Sequence, residues 1–205
     1  MQITLSKVSK RYRYEWIFKK INYTFESGQA YAITGPNGSG KSTLMRVLSG
    51  YLSATKGQVD FRVDEQSIKA EEVYQYVNYA APYIDLIEEF TLREQIQFHQ
   101  RFRPLLDDVN IDQIINLLAF KKSKQKAIKD FSSGMKQRVK LALAMCTSGS
   151  LILLDEPTTN LDRQGVAWYL DLVKQFRQNR TIIVASNVEE DYPFATDILD
   201  ILDYK

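Results

Sequence analysis

Residues 35–43 read Gly-Pro-Asn-Gly-Ser-Gly-Lys-Ser-Thr. This is the spacing G-x-x-x-x-G-K-[ST], in which backbone N–H groups of a loop cradle phosphate oxygens. Gly35, Gly38 and Gly40 let the chain approach an anion without a Cβ in the way, with Asn37 and Ser39 between them. Lys41 is placed to reach the β- and γ-phosphates of a nucleotide. Ser42 is placed to bind Mg²⁺ through its hydroxyl, and the adjacent Thr43 to help hold phosphate. A helix starting at Lys41 adds the partial positive charge of its N-terminus.

A pair of carboxylates closes an apolar run. Residues 151–154 are Leu-Ile-Leu-Leu, followed by Asp155 and Glu156. A carboxylate at the C-terminal end of a buried strand sits where open α/β sheets bind ligands. Asp155 is expected to hold Mg²⁺ by way of water, and Glu156 to polarise an attacking water as general base.

The elements that must position these groups follow from periodicity. Alternating apolar residues near 3–8, 21–25 and 59–63 read as strands. Residues 31–34 read as a buried strand feeding the glycine loop, and a helix is expected from Lys41 to about Gly50. A core strand is expected over 74–81, stopped by Pro82. Helical spacing takes over from Thr91, giving an all-helical insert at roughly 85–130. Residues 133–147 and 166–177 read as helices, 151–155 and 181–185 as buried strands, and 198–202 as a last strand. Apolar runs separated by helices imply a mainly parallel α/β sheet.

The chain has 205 residues, enough for one domain with a small attached lobe. Its net charge of +2 creates no strong field toward nucleic acid. A single cysteine, Cys146, excludes an intrachain disulfide; it fits a reducing compartment and is expected to be buried. A single histidine, His99, excludes a two-histidine metal site and is expected to lie exposed on a helix. No stretch of 18 apolar residues would span a membrane, and residues 1–5 lack the pattern of a signal peptide.

Taken together, the motifs resemble the nucleotide-binding subunit of ATP-binding cassette (ABC) transporters, over essentially the whole chain. Phe131-Ser132-Ser133-Gly134-Met135-Lys136-Gln137-Arg138 resembles the family signature, and Asn160-Leu161-Asp162 its D-loop. The resemblance implies a P-loop NTPase fold of the ABC type. It would have a mainly parallel core sheet, an antiparallel β lobe and a helical insert. The chain would be one domain, 1–205, with its core at 1–82 and 131–205 and the helical subdomain at about 83–130. ATP and Mg²⁺ are the implied cofactors. Tyr12, 23 positions before Gly35, matches the aromatic that stacks on adenine, although Tyr14 and Trp16 stand close enough to compete. Ser132, Ser133 and Gly134 precede a helix and offer hydroxyls and bare N–H groups, an anion site in its own right. In the family this segment binds the γ-phosphate of ATP held by an opposite subunit, in a head-to-tail dimer with Asp162 at the seam.

Four positions, in three motifs, depart from the family pattern. The signature carries Phe131 for leucine and Ser133 for its first glycine. Asn187, in Ala185-Ser186-Asn187, stands where a histidine usually contacts the γ-phosphate; it can still donate an amide hydrogen bond. Pro82 falls where the Q-loop glutamine is expected and offers no side-chain donor. The resemblance implies an ATPase driving a membrane transporter from its cytoplasmic face, most similar to small single-cassette bacterial exporter subunits such as the haem-exporter type. Hydrolysis is expected to be slow. The alternative is a weakly active partner in a heterodimeric complex. A soluble ABC ATPase of ribosomes or DNA repair would carry two cassettes or a long coiled-coil insert.

The expected partners are a second ATPase subunit and a transmembrane permease. Residues 83–90, Tyr-Ile-Asp-Leu-Ile-Glu-Glu-Phe, fit a groove that grips a partner helix. In the family this region receives the permease's coupling helix; packing within the insert is the competing reading. Lys121, Lys122, Lys124, Lys126 and Lys129 form a basic run that is a solvated face or one turned to anionic lipid. No aromatic interleaves them, which argues against a single-strand nucleic-acid surface.

Overall fold

The computed structural model describes residues 1–120 and 126–205. In chain order the elements are β1 (Gln2–Tyr12), β2 (Glu15–Phe25), β3 (Ala30–Thr34), α1 (Lys41–Leu48), β4 (Lys56–Val63), β5 (Gln66–Ile68) and β6 (Val77–Ala80). They continue with α2 (Leu92–Phe102), α3 (Ile111–Leu118), α4 (Ser133–Cys146), β7 (Leu151–Asp155), α5 (Arg163–Phe176), β8 (Thr181–Ala185) and β9 (Asp197–Asp200). The chain divides into two compact units: 1–79 with 149–155 and 178–205, and 80–148 with 156–177.

The first unit holds two sheets. An antiparallel sheet runs β2-β1-β4-β5, and a second sheet runs β6-β7-β8-β3-β9. In the second, β7 pairs parallel with β8, and β3 with both β8 and β9. β7 and β8 are buried at every residue, as strands covered on both faces must be. One apolar core unites the unit: Ile3, Phe18 and Phe25 of the antiparallel sheet with Leu44 and Leu48 of α1 and Leu153 and Ile183 of the parallel sheet.

The second unit is helical. Thr91 with Glu94, and Asn110 with Gln113, form capping boxes that start α2 and α3 by satisfying their first N–H groups. Arg93 of α2 bridges to Asp112 of α3. Leu92, Ile96, Ile114, Leu118, Val139 and Cys146 share its core. α4 and α5 fall within this unit.

Several expectations shift. The strand expected over 74–81 is only β6, because residues Ala70–Gln75 form a 3-10 turn that buries Val73 and leaves Tyr74 exposed. α5 begins at Arg163, earlier than 166, because Asp162 caps it. The last strand ends at Asp200, where the Asp200 carboxylate accepts from Leu202 N–H and turns the chain into a 3-10 helix. His99 is not exposed: it is half-buried, with Nε2 2.8 Å from Thr147 Oγ1. Burial, seconded by the Arg103 charge, pushes its pKa below the ordinary value. Cys146 is buried as expected. Of the lysine run, Lys121, Lys122 and Lys124 lie outside the described residues.

Candidate functional site

Strand register brings the chemistry to one sheet edge. Ala185 on β8 aligns with Ile33 on β3 and with Asp155 on β7. The parallel strands therefore release residues 35–40, Asp155 and Asn187 from the same, C-terminal edge, where open α/β sheets bind ligands. The Ser186 N–H donates to the Ile33 carbonyl at 3.1 Å and continues the ladder past the strand end.

The 35–43 loop has the backbone a phosphate cradle needs. Gly35, Gly38 and Gly40 have φ of 134°, 77° and 108°. A Cβ on Gly40 would sit 2.4 Å from the Ile17 side chain, and one on Gly35 2.8 Å from that of Ile201. Gly38 instead faces open space, with no atom of the described residues within 4 Å of a Cβ there. The N-cap of α1 is Gly40, which has no side chain to cap it, and first-turn N–H groups of a helix favour an anion. Lys41 is 4% exposed, and its Nζ donates to the Gly35 carbonyl at 2.7 Å and the Pro36 carbonyl at 3.3 Å. Ser39 Oγ is buried and has no hydrogen-bond partner among the described residues. Lys205, which the sequence reading passed over, donates from Nζ to the Ser39 carbonyl at 2.6 Å and the Ile17 carbonyl at 2.8 Å.

Asp155 is 1% exposed and accepts at Oδ2 from the Tyr79 hydroxyl at 3.4 Å. Glu156 follows in the left-handed region, φ 46°, so the chain turns sharply between the two carboxylates. Among the described residues no cluster of three His, Cys, Asp or Glu could enclose a metal. A serine hydroxyl and one carboxylate at a phosphate loop are the hard oxygen donors that suit Mg²⁺, which draws its remaining ligands from water and phosphate. Asn187 is exposed, and the residue before it is fixed: Ser186 Oγ donates to Asp191 at 2.6 Å and accepts from Val188 N–H at 3.0 Å.

Tyr12 is 44% exposed, with Lys10 Nζ 5.3 Å from its ring centroid. Tyr12 pairs with Glu15 across the hairpin, and Arg11 with Trp16. Successive strand residues point to opposite faces, so Trp16 is not on the Tyr12 side. Tyr14, at 94% exposed, sits in the hairpin turn.

The second unit carries the other group of expected residues. Ser132 caps α4 by accepting from Met135 N–H at 3.2 Å. Ser132, Ser133 and Gly134 line a cavity of about 330 Å³ together with Asn160, Leu161 and Asp162. Sequence distance hid this convergence; the signature and D-loop segments meet because α4 and α5 pack together. A Cβ on Gly134 would come 2.7 Å from the Asn160 carbonyl. Asp162 Oδ1 accepts from Gly165 N–H at 2.7 Å. Arg138 also lines the cavity, with its guanidinium 4.3 Å from the Trp168 ring and 5.3 Å from that of Phe120.

Pro82 offers its carbonyl, which accepts from Lys140 Nζ at 2.7 Å. In the 83–90 segment, Leu86 packs on the helical core, Ile87 N–H donates to Gln95, and Glu88 pairs with Lys136 at 2.6 Å. Tyr83 stays exposed.

A sequence profile described as ABC transporter matches residues 18–159. The chain is 30% identical over 203 residues to an uncharacterized ABC transporter ATP-binding protein of Bacillus subtilis, covering 96% of this chain and 90% of that one. It is 29% identical over 209 residues to a lantibiotic transport ATP-binding protein of Streptococcus pyogenes, covering 98% and 86%. In fold it is similar to a putative ABC transporter ATP-binding protein of Pyrococcus furiosus, with TM-score 0.83 at 20% identity over 100% of both chains. It is likewise similar to a dimeric ATP-binding cassette bound to ADP and phosphate, with TM-score 0.82 at 21% identity over 97% of this chain and 94% of the other.

Proposed function

This chain belongs to the ABC transporter family, and from that premise we propose that it binds and hydrolyses ATP as the motor subunit of a membrane transporter. The observation that carries the reading is the buried Lys41 ammonium, folded onto the carbonyls of its own glycine loop at the mouth of a helix. A phosphate chain entering the loop gains the first-turn N–H groups of α1. Lys41 then trades Gly35 and Pro36 carbonyls for β- and γ-phosphate oxygens. Asn37, Gly38 and Ser39 close around the chain, Thr43 holds it from the helix side, and Tyr12 stacks on the base.

Ser42 and Asp155 would hold Mg²⁺, the latter through water; when bound, the ion neutralises phosphate charge. Glu156 takes a proton from the attacking water. The water oxygen bonds to the γ-phosphorus as the bond from that phosphorus to the bridging oxygen breaks, and ADP leaves with the electron pair. Asn187 donates its amide hydrogen to the transferring phosphoryl group, a contact worth about 2–4 kcal/mol if it acts as an oxyanion donor does. Ser132, Ser133 and Gly134 of a second subunit cover the γ-phosphate, with Asp162 at the seam. The shared signature and D-loop cavity supports this dimer.

A transmembrane permease supplies the path; among the described residues no helix is long and apolar enough to cross a membrane. The lantibiotic transport relative supports a role in transport. A second reading, a weakly active partner of a different cassette, is favoured by Asn187 and by the Pro82 carbonyl being held by Lys140.

The test is Glu156→Gln with ATP. Retained nucleotide binding, lost turnover and a shift from monomer to dimer in size-exclusion chromatography are expected. Undiminished turnover would remove Glu156 as the base, and a monomer at every ATP concentration would remove the sandwich. Copurification from detergent-solubilised membranes separates the two readings: a permease with this cassette alone supports the first, and a permease with a different cassette the second.

A further inference from the structure

The outer face of the antiparallel sheet carries a cavity of about 670 Å³ that ATP chemistry does not use. Ser9, Trp16, Lys7, Lys19, Lys20 and Lys56 line it, and among the described residues no carboxylate does. Among the described residues, none of these four ammonium groups makes an ion pair. Like charges gathered on one surface repel and raise the local concentration of anions.

The dent is built into the backbone. Lys7 on β1 and Lys20 on β2 both lie in the left-handed region at φ 54°, and Gly57 on β4 at φ 85°. L side chains disfavour that region, and such departures gather where a surface is shaped for a task. The β1 register slips between Leu5 and Val8 against β2, and between Ser6 and Ser9 against β4. Three adjacent strands thus leave the regular pleat at one level. Ser9, only 4% exposed, knits them: its Oγ accepts from Lys20 N–H at 2.8 Å and donates to the Lys7 carbonyl at 3.3 Å. The Lys7 N–H donates to Asn22 Oδ1 at 2.9 Å. A Cβ on Gly57 would lie 2.3 Å from the Lys7 carbonyl, so the third strand can follow the bulge only as glycine.

Trp16 forms the wall. Lys56 Nζ is 5.7 Å and Arg11 Cζ 5.2 Å from its ring centroid. Because Trp16 pairs with Arg11 and Tyr12 with Glu15, the cavity opens on the face away from Tyr12. A ligand here meets ammonium heads, the apolar stems of the same lysines and an indole ring. Multiple negative charge attached to an apolar or planar group matches that lining.

We propose that the cavity bounded by Lys7, Lys19, Lys20, Lys56 and Trp16 binds a multiply charged phosphate ester. The same chemistry is offered by a soluble polyphosphate ester and by an anionic phospholipid headgroup, and the experiment separates them. The full chain is saturated with MgADP to occupy the 35–43 loop, then titrated with inorganic tripolyphosphate in one arm and with phosphatidylcholine vesicles, with and without phosphatidylinositol phosphate, in the other. Trp16 emission reports binding, with Trp16→Phe identifying its signal against that of Trp168. The variant is the double substitution Lys19→Gln with Lys56→Gln, since neither position has left-handed backbone. A Trp16 response weakened about tenfold or more in the double variant, and weakened by added salt, is expected in at least one arm. A response to tripolyphosphate assigns a soluble ligand, and a response to anionic vesicles alone assigns the headgroup. No Trp16 response in either arm, or equal responses in parent and double variant, overturns the site. Lost MgADP binding in the parent chain would instead count against the ATP reading, and the Trp16→Phe and double-variant comparisons would still decide whether the response comes from this cavity.

Discussion

Lys140 Nζ on α4 donates to the Pro82 carbonyl at 2.7 Å and to that of Ala81 at 3.4 Å. The position where the family resemblance leads one to expect a glutamine side chain thus contributes a main-chain acceptor, held by a cation on the signature helix. Partial burial pushes the Lys140 pKa below its ordinary value, with the Asp85 charge opposing. Replacing Lys140 with Met leaves both carbonyls without this donor. A loss of about 1 kcal/mol is expected for a partly exposed charged hydrogen bond, read as a lower urea midpoint at unchanged slope. An unchanged midpoint would make the contact incidental.

Asn187 projects from a turn fixed by the Ser186–Asp191 hydrogen bond. Asn187→Ala is expected to lower kcat about 100-fold with little change in KM, as for the loss of a single transition-state donor. Steady-state phosphate release checks it, and an unaltered rate would remove Asn187 from the mechanism.

Gly134 lies where a Cβ would press to 2.7 Å from the Asn160 carbonyl. Gly134→Ala must part the signature turn from the D-loop. ATP-dependent dimerisation of the Glu156→Gln chain is expected to weaken by about tenfold, or 1.4 kcal/mol. Binding of a fluorescent nucleotide to the monomer stays at the parent value. Sedimentation gives the first quantity and nucleotide titration the second; a parallel loss of both would point to misfolding.

His99 carries a lowered pKa from burial against the helical core, with Arg103 adding like charge. A base whose folded pKa lies below its unfolded value binds fewer protons in the folded state. Its stabilisation is therefore complete above about pH 6.5 and is lost as pH falls through the folded value. The Tm of the parent should fall across that window more steeply than the Tm of His99→Gln. Identical slopes would place the acid sensitivity elsewhere.

Much of the fold and the site was legible because it is written locally. The glycine spacing of 35–43, the apolar run ending at Asp155 and the Ser132–Gly134 helix start each need only neighbours in sequence to be recognised. Their geometry depends on short-range rules: left-handed φ for glycine, burial of strands covered on both faces, and side-chain oxygens at helix starts. Even the shortened strand after Gln75 keeps the expected Val77–Ala80 core.

Pairing over long sequence separations was not legible. No spacing rule joins His99 to Thr147, Lys205 to Ser39, or Pro82 to Lys140. Those bonds exist because helix and strand packing brings together groups 48 to 166 residues apart, and buried polar groups take the partners they then find. The lysine-lined cavity arose the same way. Lys7, Lys20 and Gly57 look like ordinary exposed positions in the chain. Only the coincidence of left-handed backbone on three paired strands turns them into one site. The sequence by itself determined the glycine loop, the strand-end carboxylates and the helix starts of the candidate site, which need only neighbours in the chain, and the tertiary structure decided which distant groups hold, shape and share the surfaces around them.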